Sequence, residues 1–397
     1  MSDRASWIRT SLTGSGKNAS VHLDALRGVA ALAVVLHHCR DAFFVDASQL
    51  GAGHWLGKTL LFFTNLGHQW VIVFFVLSGY LVGGSVLRAR AGQRWSWRSY
   101  LLARLTRLYM VLLPALLLGW ALDALGMRMA DPMQTYQGHS GMHSLVMNVA
   151  RQNYFRTFSG NLLFLQTIPL RAGIFATLGT NGPLWSLCNE FWYYMAFPFL
   201  LVLGAPSSRL RQRAASLVIL LLWAWFVGPS ILLLALPWLM GAAIGFLPDP
   251  SRWPDGWRRT VLGLALLLTV VSMTAGGVLK SKNLLWPDLA IGIAVSALIW
   301  SLHGRDTLRL PRWYSVCSAR AARSSYTLYL VHMPMLVLLK VAWRIPRQGC
   351  TFSALCTSLG VAFCLIFYGQ LVYEVFEKNT NRLRGWIKPY VLGRGAA

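Results

Sequence analysis

Stretches of apolar residues long enough to cross a bilayer recur along this chain of 397 residues, and that recurrence constrains it more than any other feature. A membrane-spanning helix needs about 20 apolar residues, with a range of about 17–25. Ten segments meet or approach this length: 23–43, 67–87, 101–122, 183–204, 214–228, 230–247, 260–277, 284–302, 326–343 and 353–374. The fifth and sixth are short and meet at Gly228-Pro229-Ser230, a turn signal. Residues 161–170 are too short to span and are expected at the interface. A composition that is 55% hydrophobic, with 18 Trp, excludes an ordinary soluble domain. The expected fold is all-α: a polytopic integral membrane protein of about ten transmembrane helices.

The formal net charge is +24. The basic residues form short clusters between the apolar runs and no continuous stripe, which argues against a nucleic-acid partner. An even number of spans places both termini on one side. If that side is the cytoplasm, Lys plus Arg divide 25 to 11 in its favour, with Arg27 inside the first span. The chain is then expected to divide into a cytoplasmic N-terminal tail (1–21), a transmembrane domain (22–375) and a basic cytoplasmic C-terminal tail (376–397). Residues 1–20 lack an apolar core, so the first helix is expected to stay as an uncleaved anchor. The stretch "GSGKNAS" (14–20) departs from a phosphate loop at Ser11 and Asn18. Six scattered cysteines without a CxxC read as small buried hydrophobes, and a Cys350–Cys356 bridge is the one pairing left open. The loop over 123–182 is long enough to fold over a site.

Ionisable groups inside a span are costly and mark a pathway or site. The first span, "LDALRGVAALAVVLHHC", carries Asp24, Arg27, His37 and His38. At about 100° per residue, Arg27 and His38 fall within about 20° of one face, separated by about 16 Å along the axis, with Asp24 on the same stripe. His37 lies to the side. Arg27 is expected near the cytoplasmic mouth and His38 in the outer half, where a neutral imidazole would serve as a general base. This stripe suits a long anionic ligand entering from the cytoplasm.

Three further clusters carry polar groups. In "FFVLSGYLVGG" (74–84), Gly79 and Gly83 allow close helix approach, and Ser78 either lines a cavity or bonds a neighbouring helix. Arg104 and Arg107 lie three apart on one face, as a phosphate clamp or as topogenic charge. In "GPLWSLCNEFWYYMAFP" (182–198), Glu190 is one of three glutamates and the one well inside an apolar run. A buried carboxylate needs a partner: it could orient a histidine, accept a substrate hydroxyl or pair with an arginine. Trp185, Trp192, Tyr193 and Tyr194 suit an interfacial belt, or stacking on a sugar. In "SSYTLYLVHMPML" (324–336), His332 and Pro334 are read as structural, with a kink or gate as the alternative. His139 and His143 have helical metal spacing without a third ligand, so no metal is expected. Neither HExxH nor GxSxG occurs.

Together these pieces resemble the membrane-bound acyltransferase-3 family over about residues 22–375. The resemblance rests on Arg27 and His38 separated by ten intervening residues, on "FFVLSGYL", on the RxxR pair Arg104 and Arg107, and on "LWSLCNEFWYY" and "SSYTLYLVHMP". Met110 stands near where the family often has Pro. The resemblance implies an O-acyltransferase of the bacterial inner membrane. It would use cytoplasmic acyl-CoA, commonly acetyl-CoA, to modify a polysaccharide, lipo-oligosaccharide or lipid-linked sugar. Partners would be membrane lipid, the glycan acceptor and, in some arrangements, a separate periplasmic transferase. Arg27, Arg104 and Arg107 would bind the donor. His38 would activate the acceptor hydroxyl or carry the acyl group, and Glu190 would orient His38 or position the acceptor. Asp24, Ser78, Trp185, Tyr193 and His332 would support them, with Ser78, Tyr193 and backbone amides as alternative oxyanion donors. A proton-coupled carrier or flippase is the rival class, since helices with paired charges suit it too. The stripe predicts that His38→Ala abolishes acetyl transfer in membranes while His37→Ala leaves it at the wild-type rate; equal losses in the two would remove the facial argument.

Overall fold

The computed structural model describes residues 17–51, 53–170, 173–206, 208–250, 253–278, 285–303 and 310–392. Most of the expected N-terminal tail, residues 1–16, lies outside them, as does the end of the C-terminal tail. Apolar runs in hydrocarbon must satisfy their own backbone groups, and helices do so within one segment. In chain order the helices are α1 (Lys17–Phe43), α2 (Trp55–Phe63), α3 (Gly67–Ser78), α4 (Gly84–Ala91), α5 (Trp97–Gly126), α6 (Tyr154–Leu162) and α7 (Leu184–Gly204). They continue as α8 (Leu210–Ala243), α9 (Asp255–Val278), α10 (Leu285–Ser301), α11 (Arg312–Ala342), α12 (Phe352–Val375) and α13 (Thr380–Leu392). The one sheet among the described residues is a hairpin, β1 (Pro169–Leu170) against β2 (Gly173–Ile174). Residues 161–170 thus close α6 and enter this hairpin. Among the described residues, 7 helical stretches are long and apolar enough to cross a membrane, and α10 is a shorter apolar helix. The protein is a predominantly helical, multi-pass membrane protein, with Leu221, Leu222, Leu267 and Val270 among the apolar side chains that α8 and α9 turn outward.

The turn expected at Gly228 is present. Gly228 adopts φ 78° and ψ 173° within α8, a conformation that glycine reaches without a Cβ clash. The chain reverses there, as contacts with α7 show. Before the turn, Phe226 meets Trp192 and Arg213 hydrogen-bonds the carbonyl of Ala205 at 2.7 Å. After it, Tyr193 bonds the carbonyl of Ile231 at 2.9 Å and Phe197 meets Trp238. Residue numbers therefore fall along α7 on one half of α8 and rise on the other.

Glycine sets the closest crossing in the bundle. α3 passes into α4 through a single π turn, Gly79–Gly83, which turns this segment against the second half of α8. A Cβ on Gly79 would sit 1.8 Å from the Trp238 carbonyl oxygen, and one on Gly241 would sit 2.0 Å from that of Val76. Gly83 faces Ala242 in the same way. The small-residue spacing read from the sequence is thus a backbone-to-backbone contact.

The long loop between α5 and α7 is tied down at several points. Asp41, at the end of α1, accepts from the backbone of His143 and from the backbone and hydroxyl of Ser144. Asp123 accepts from the backbone and hydroxyl of Thr180. Desolvation pulls the Asp46 carboxyl upward, but the His143 hydrogen bond and the Arg347 and Arg40 charges outweigh it and hold the group below its ordinary value. His139 bonds Gln134, and no cluster of three metal-ligating side chains forms among the described residues. Pro334 in α11 has no N–H for the Leu330 carbonyl, so Asn181 donates to that oxygen at 2.8 Å. All six cysteines are free, Cys350 and Cys356 included.

Gly241→Val is expected to destabilise the fold by about 1–3 kcal/mol through overpacking at the crossing. Gly263→Val, where a Cβ meets nothing within 4 Å, should not. Thermal unfolding of the detergent-solubilised protein compares the two; equal melting temperatures would show that the crossing gives way.

Candidate active site

Helices α1, α3, α5, α7 and α11 enclose a cavity of about 230 Å³. Its polar lining includes Arg27 from α1, Ser78 from α3, Arg104 and Arg107 from α5, and Glu190 with Tyr194 from α7, with Ser186 from α7 and Ser325, Tyr326 and Tyr329 from α11. Five residues singled out in four separate stretches of sequence thus share one wall. Helical spacing explains the local pairs. Arg104 and Arg107 are three apart, and Glu190 and Tyr194 are four apart, so each pair projects from one face.

The carboxylate is held by a chain of donors. The Tyr194 hydroxyl donates to Glu190 Oε2 at 3.1 Å, Ser78 Oγ lies 3.0 Å from that hydroxyl, and the Trp238 indole donates to Ser78 Oγ at 3.2 Å. Ser78 therefore both lines the cavity and bridges helices. Tyr100 fixes the backbone of α7 here, donating to the Tyr194 carbonyl at 2.9 Å.

The three arginines differ in their partners. Arg27 has a loose contact with Asp24 one turn away, at 3.9 Å. Arg107 pairs with Glu377 at 2.6 Å, off the hydrogen-bond line, and lies over the Tyr326 ring at 5.2 Å. Glu377 is buried, and it also accepts from the backbone and hydroxyl of Thr327. Arg104 has no carboxylate at ion-pair distance among the described residues, and its Nε–H is buried without a partner. A guanidinium in that state takes an anion readily, and a planar fork suits phosphate oxygens. The residues present therefore fit the phosphate end of an acyl-CoA.

The histidines sit elsewhere. His38 meets α11, where its Nδ1 lies 3.0 Å from Nε2 of His332. His37 turns toward α3, packed where a Cβ on Gly67 would fall. The two side chains go to different helices, but the stripe read from the sequence is not kept as one wall, since Arg27 lines the cavity while His38 packs on His332. His38 does not line the cavity. Tyr329 does, and its ring lies 6.2 Å from that of His332, so it is the neighbour common to both. Tyr329 is held by Ser186 and by Phe74, which lines the cavity as well.

Some expected roles find other partners. Glu190 bonds Tyr194, with no hydrogen bond to His38, so it does not set the tautomer of His38 in this structure. Tyr193 is buried, its hydroxyl is committed to the Ile231 carbonyl, and it offers no oxyanion donor. Trp185 packs edge-on against Phe75 and stands outside the cavity lining. Tyr194 reads from the sequence only as part of an aromatic belt or sugar platform, and Tyr326 and Glu377 are not singled out there. Tyr194 was legible as the i+4 neighbour of Glu190, whereas nothing local marks Glu377, which reaches Arg107 only because the segment after α12 folds back against α5.

The fold is that of an integral membrane protein with an arginine-lined cavity, and comparison with known proteins gives its class. The Acyltransferase domain family, acyltransferase 3, matches residues 21–369, and the chain belongs to it. It is 28% identical over 400 residues to Acyltransferase MdmB of Streptomyces mycarofaciens, covering 92% of this chain and 93% of that one. No solved structure matches. The protein is a membrane acyltransferase.

Removing the buried partner of Arg107 should loosen the cavity wall. Glu377→Ala is expected to destabilise the protein by about 1–3 kcal/mol, the scale for stranding buried hydrogen-bonded groups. Thermal unfolding in detergent reads this, with exposed Glu374→Ala as the comparison. An unchanged melting temperature for Glu377→Ala would mean that the pair contributes nothing.

Proposed function

We propose that the protein transfers an acyl group, acetyl in the simplest case, from cytoplasmic acyl-CoA to a hydroxyl of a polysaccharide, lipo-oligosaccharide or related glycan. The observation that carries this reading is the convergence of Arg27, Arg104 and Arg107 with Glu190 on one cavity, whose lining residue Tyr329 packs beside His332, the partner of His38. The guanidiniums bind donor phosphates, Arg104 foremost. His38 takes the proton of the acceptor hydroxyl as its oxygen attacks the thioester carbonyl. The new C–O bond forms, the C–S bond breaks, and the imidazolium returns its proton to the departing thiolate. Glu190 positions the acceptor or balances the arginines, with Tyr194 holding its carboxylate. The Tyr329 and Phe74 side chains must move for a thioester to come within reach of His38.

The topology that suits this chemistry has ten spans. Dividing α8 at Gly228 and adding α7 and α10 to the seven long stretches supplies them. Both termini then lie in the cytoplasm of a bacterial inner membrane, the side favoured by Lys and Arg. The donor site opens inward and His38 lies toward the glycan side.

The test is incorporation of radiolabelled acetyl from acetyl-CoA into the glycan and lipid fractions of membranes carrying the protein. Arg104→Ala should raise the KM for acetyl-CoA at least about tenfold, the loss expected on removing a charged hydrogen-bond donor from an anion. Label retained on the protein without acceptor would favour an acyl-enzyme route. Absence of any label transfer, with glycan export still dependent on the protein, would replace this reading with that of a carrier.

A further inference from the structure

We infer that His332 is a positioning residue that fixes His38 in a single tautomer, with the lone pair on Nε2. The inference rests on His38 acting as the base in the transfer reaction proposed above.

The hydrogen bonds determine where the protons are. Nδ1 of His332 lies 3.0 Å from the Leu328 carbonyl oxygen and 2.9 Å from that of Tyr329. Carbonyl oxygens only accept, so this nitrogen carries a proton. A neutral imidazole bears one N–H, which leaves Nε2 of His332 as an acceptor. The atom facing it at 3.0 Å is Nδ1 of His38. That nitrogen also lies 2.9 Å from the Val34 carbonyl oxygen, another pure acceptor. Nδ1 of His38 therefore carries a proton shared between Val34 and His332, and Nε2 of His38 is bare. No described residue hydrogen-bonds it.

Burial separates the two roles. His332 is 0% exposed, beyond reach of any substrate, whereas His38 retains accessible surface. His332 thus acts through His38. When His38 becomes an imidazolium, its Nδ1–H bond to a neutral nitrogen becomes charge-assisted and shortens. The arrangement parallels the histidine and its orienting carboxylate in hydrolase triads, with an imidazole lone pair in place of the carboxylate. The turn that holds His332 is itself fixed, because Asn181 bonds the carbonyl left free by Pro334 and Gly119 packs on the proline ring.

The experiment measures acetyl transfer from labelled acetyl-CoA by full-length protein in membranes, reading maximal rate and KM separately. His332→Leu removes the acceptor at similar volume. Its maximal rate should fall about 10²–10⁴-fold, the range associated with a general base in its working state, with KM for acetyl-CoA within about twofold of wild type. His332→Gln supplies an amide oxygen that can accept from Nδ1–H, and should recover at least about tenfold of the lost rate. A His332→Leu rate within about threefold of wild type would overturn the inference. So would a loss in both variants matched by a lower melting temperature, since that is packing alone. His38→Ala separates the levels. If it is inactive while His332→Leu is not, only the His332 role fails; if His38→Ala transfers acetyl at the wild-type rate, the function of His38 fails with it.

Discussion

The cost of an unpaired polar group in hydrocarbon governs this structure. A charged or hydrogen-bonding side chain within the bilayer must find a partner or face a cavity. Arg27, Arg104, Arg107 and Glu190 each sit on an apolar helix, and none could be stably exposed to lipid. Their convergence on one cavity is the common solution. The Trp238, Ser78 and Tyr194 chain then supplies donors to the Glu190 carboxylate, and Glu377 pairs with Arg107.

The same cost makes the cavity selective. Glu190 and the paired Arg107 leave Arg104 with a buried, unsatisfied N–H. Such a group is satisfied best by an anion, whose charge strengthens the bond beyond what a neutral hydroxyl acceptor supplies. The histidine pair shows the opposite character. Every nitrogen in it except Nε2 of His38 has a partner, so the one free lone pair lies at a defined place. The arginine-lined cavity and the histidine pair are therefore neighbours, with Tyr329 lining the first and packing beside His332 of the second.

Much of the architecture could be read from the chain. Length and apolarity mark the helices, Gly228-Pro229 marks the reversal in α8, and Gly79 with Gly83 marks the close crossing. The RxxR spacing identifies two cavity residues because helical periodicity is a local property, whereas of the stripe Asp24, Arg27 and His38 only Arg27 lines the cavity. Reading His332 as structural captured its burial but not its contact with His38, which joins residues 294 positions apart in sequence. Tyr193 illustrates the reverse error. It stands in a cluster rich in site residues, yet it points at Ile231, because adjacent positions on a helix face about 100° apart.

Sequence alone therefore determined the class of solvent, the positions of the helices and the face on which each ionisable group lies, since all three follow from local composition and the period of the α-helix. Tertiary structure alone decided which faces meet. It assigned Glu190 to Tyr194 and His38 to His332, and it brought Glu377 from beyond the last long helix to Arg107. Partner choice of this kind depends on helix order and rotation in the bundle, which are set by glycine crossings and packing distances that no local window of residues contains.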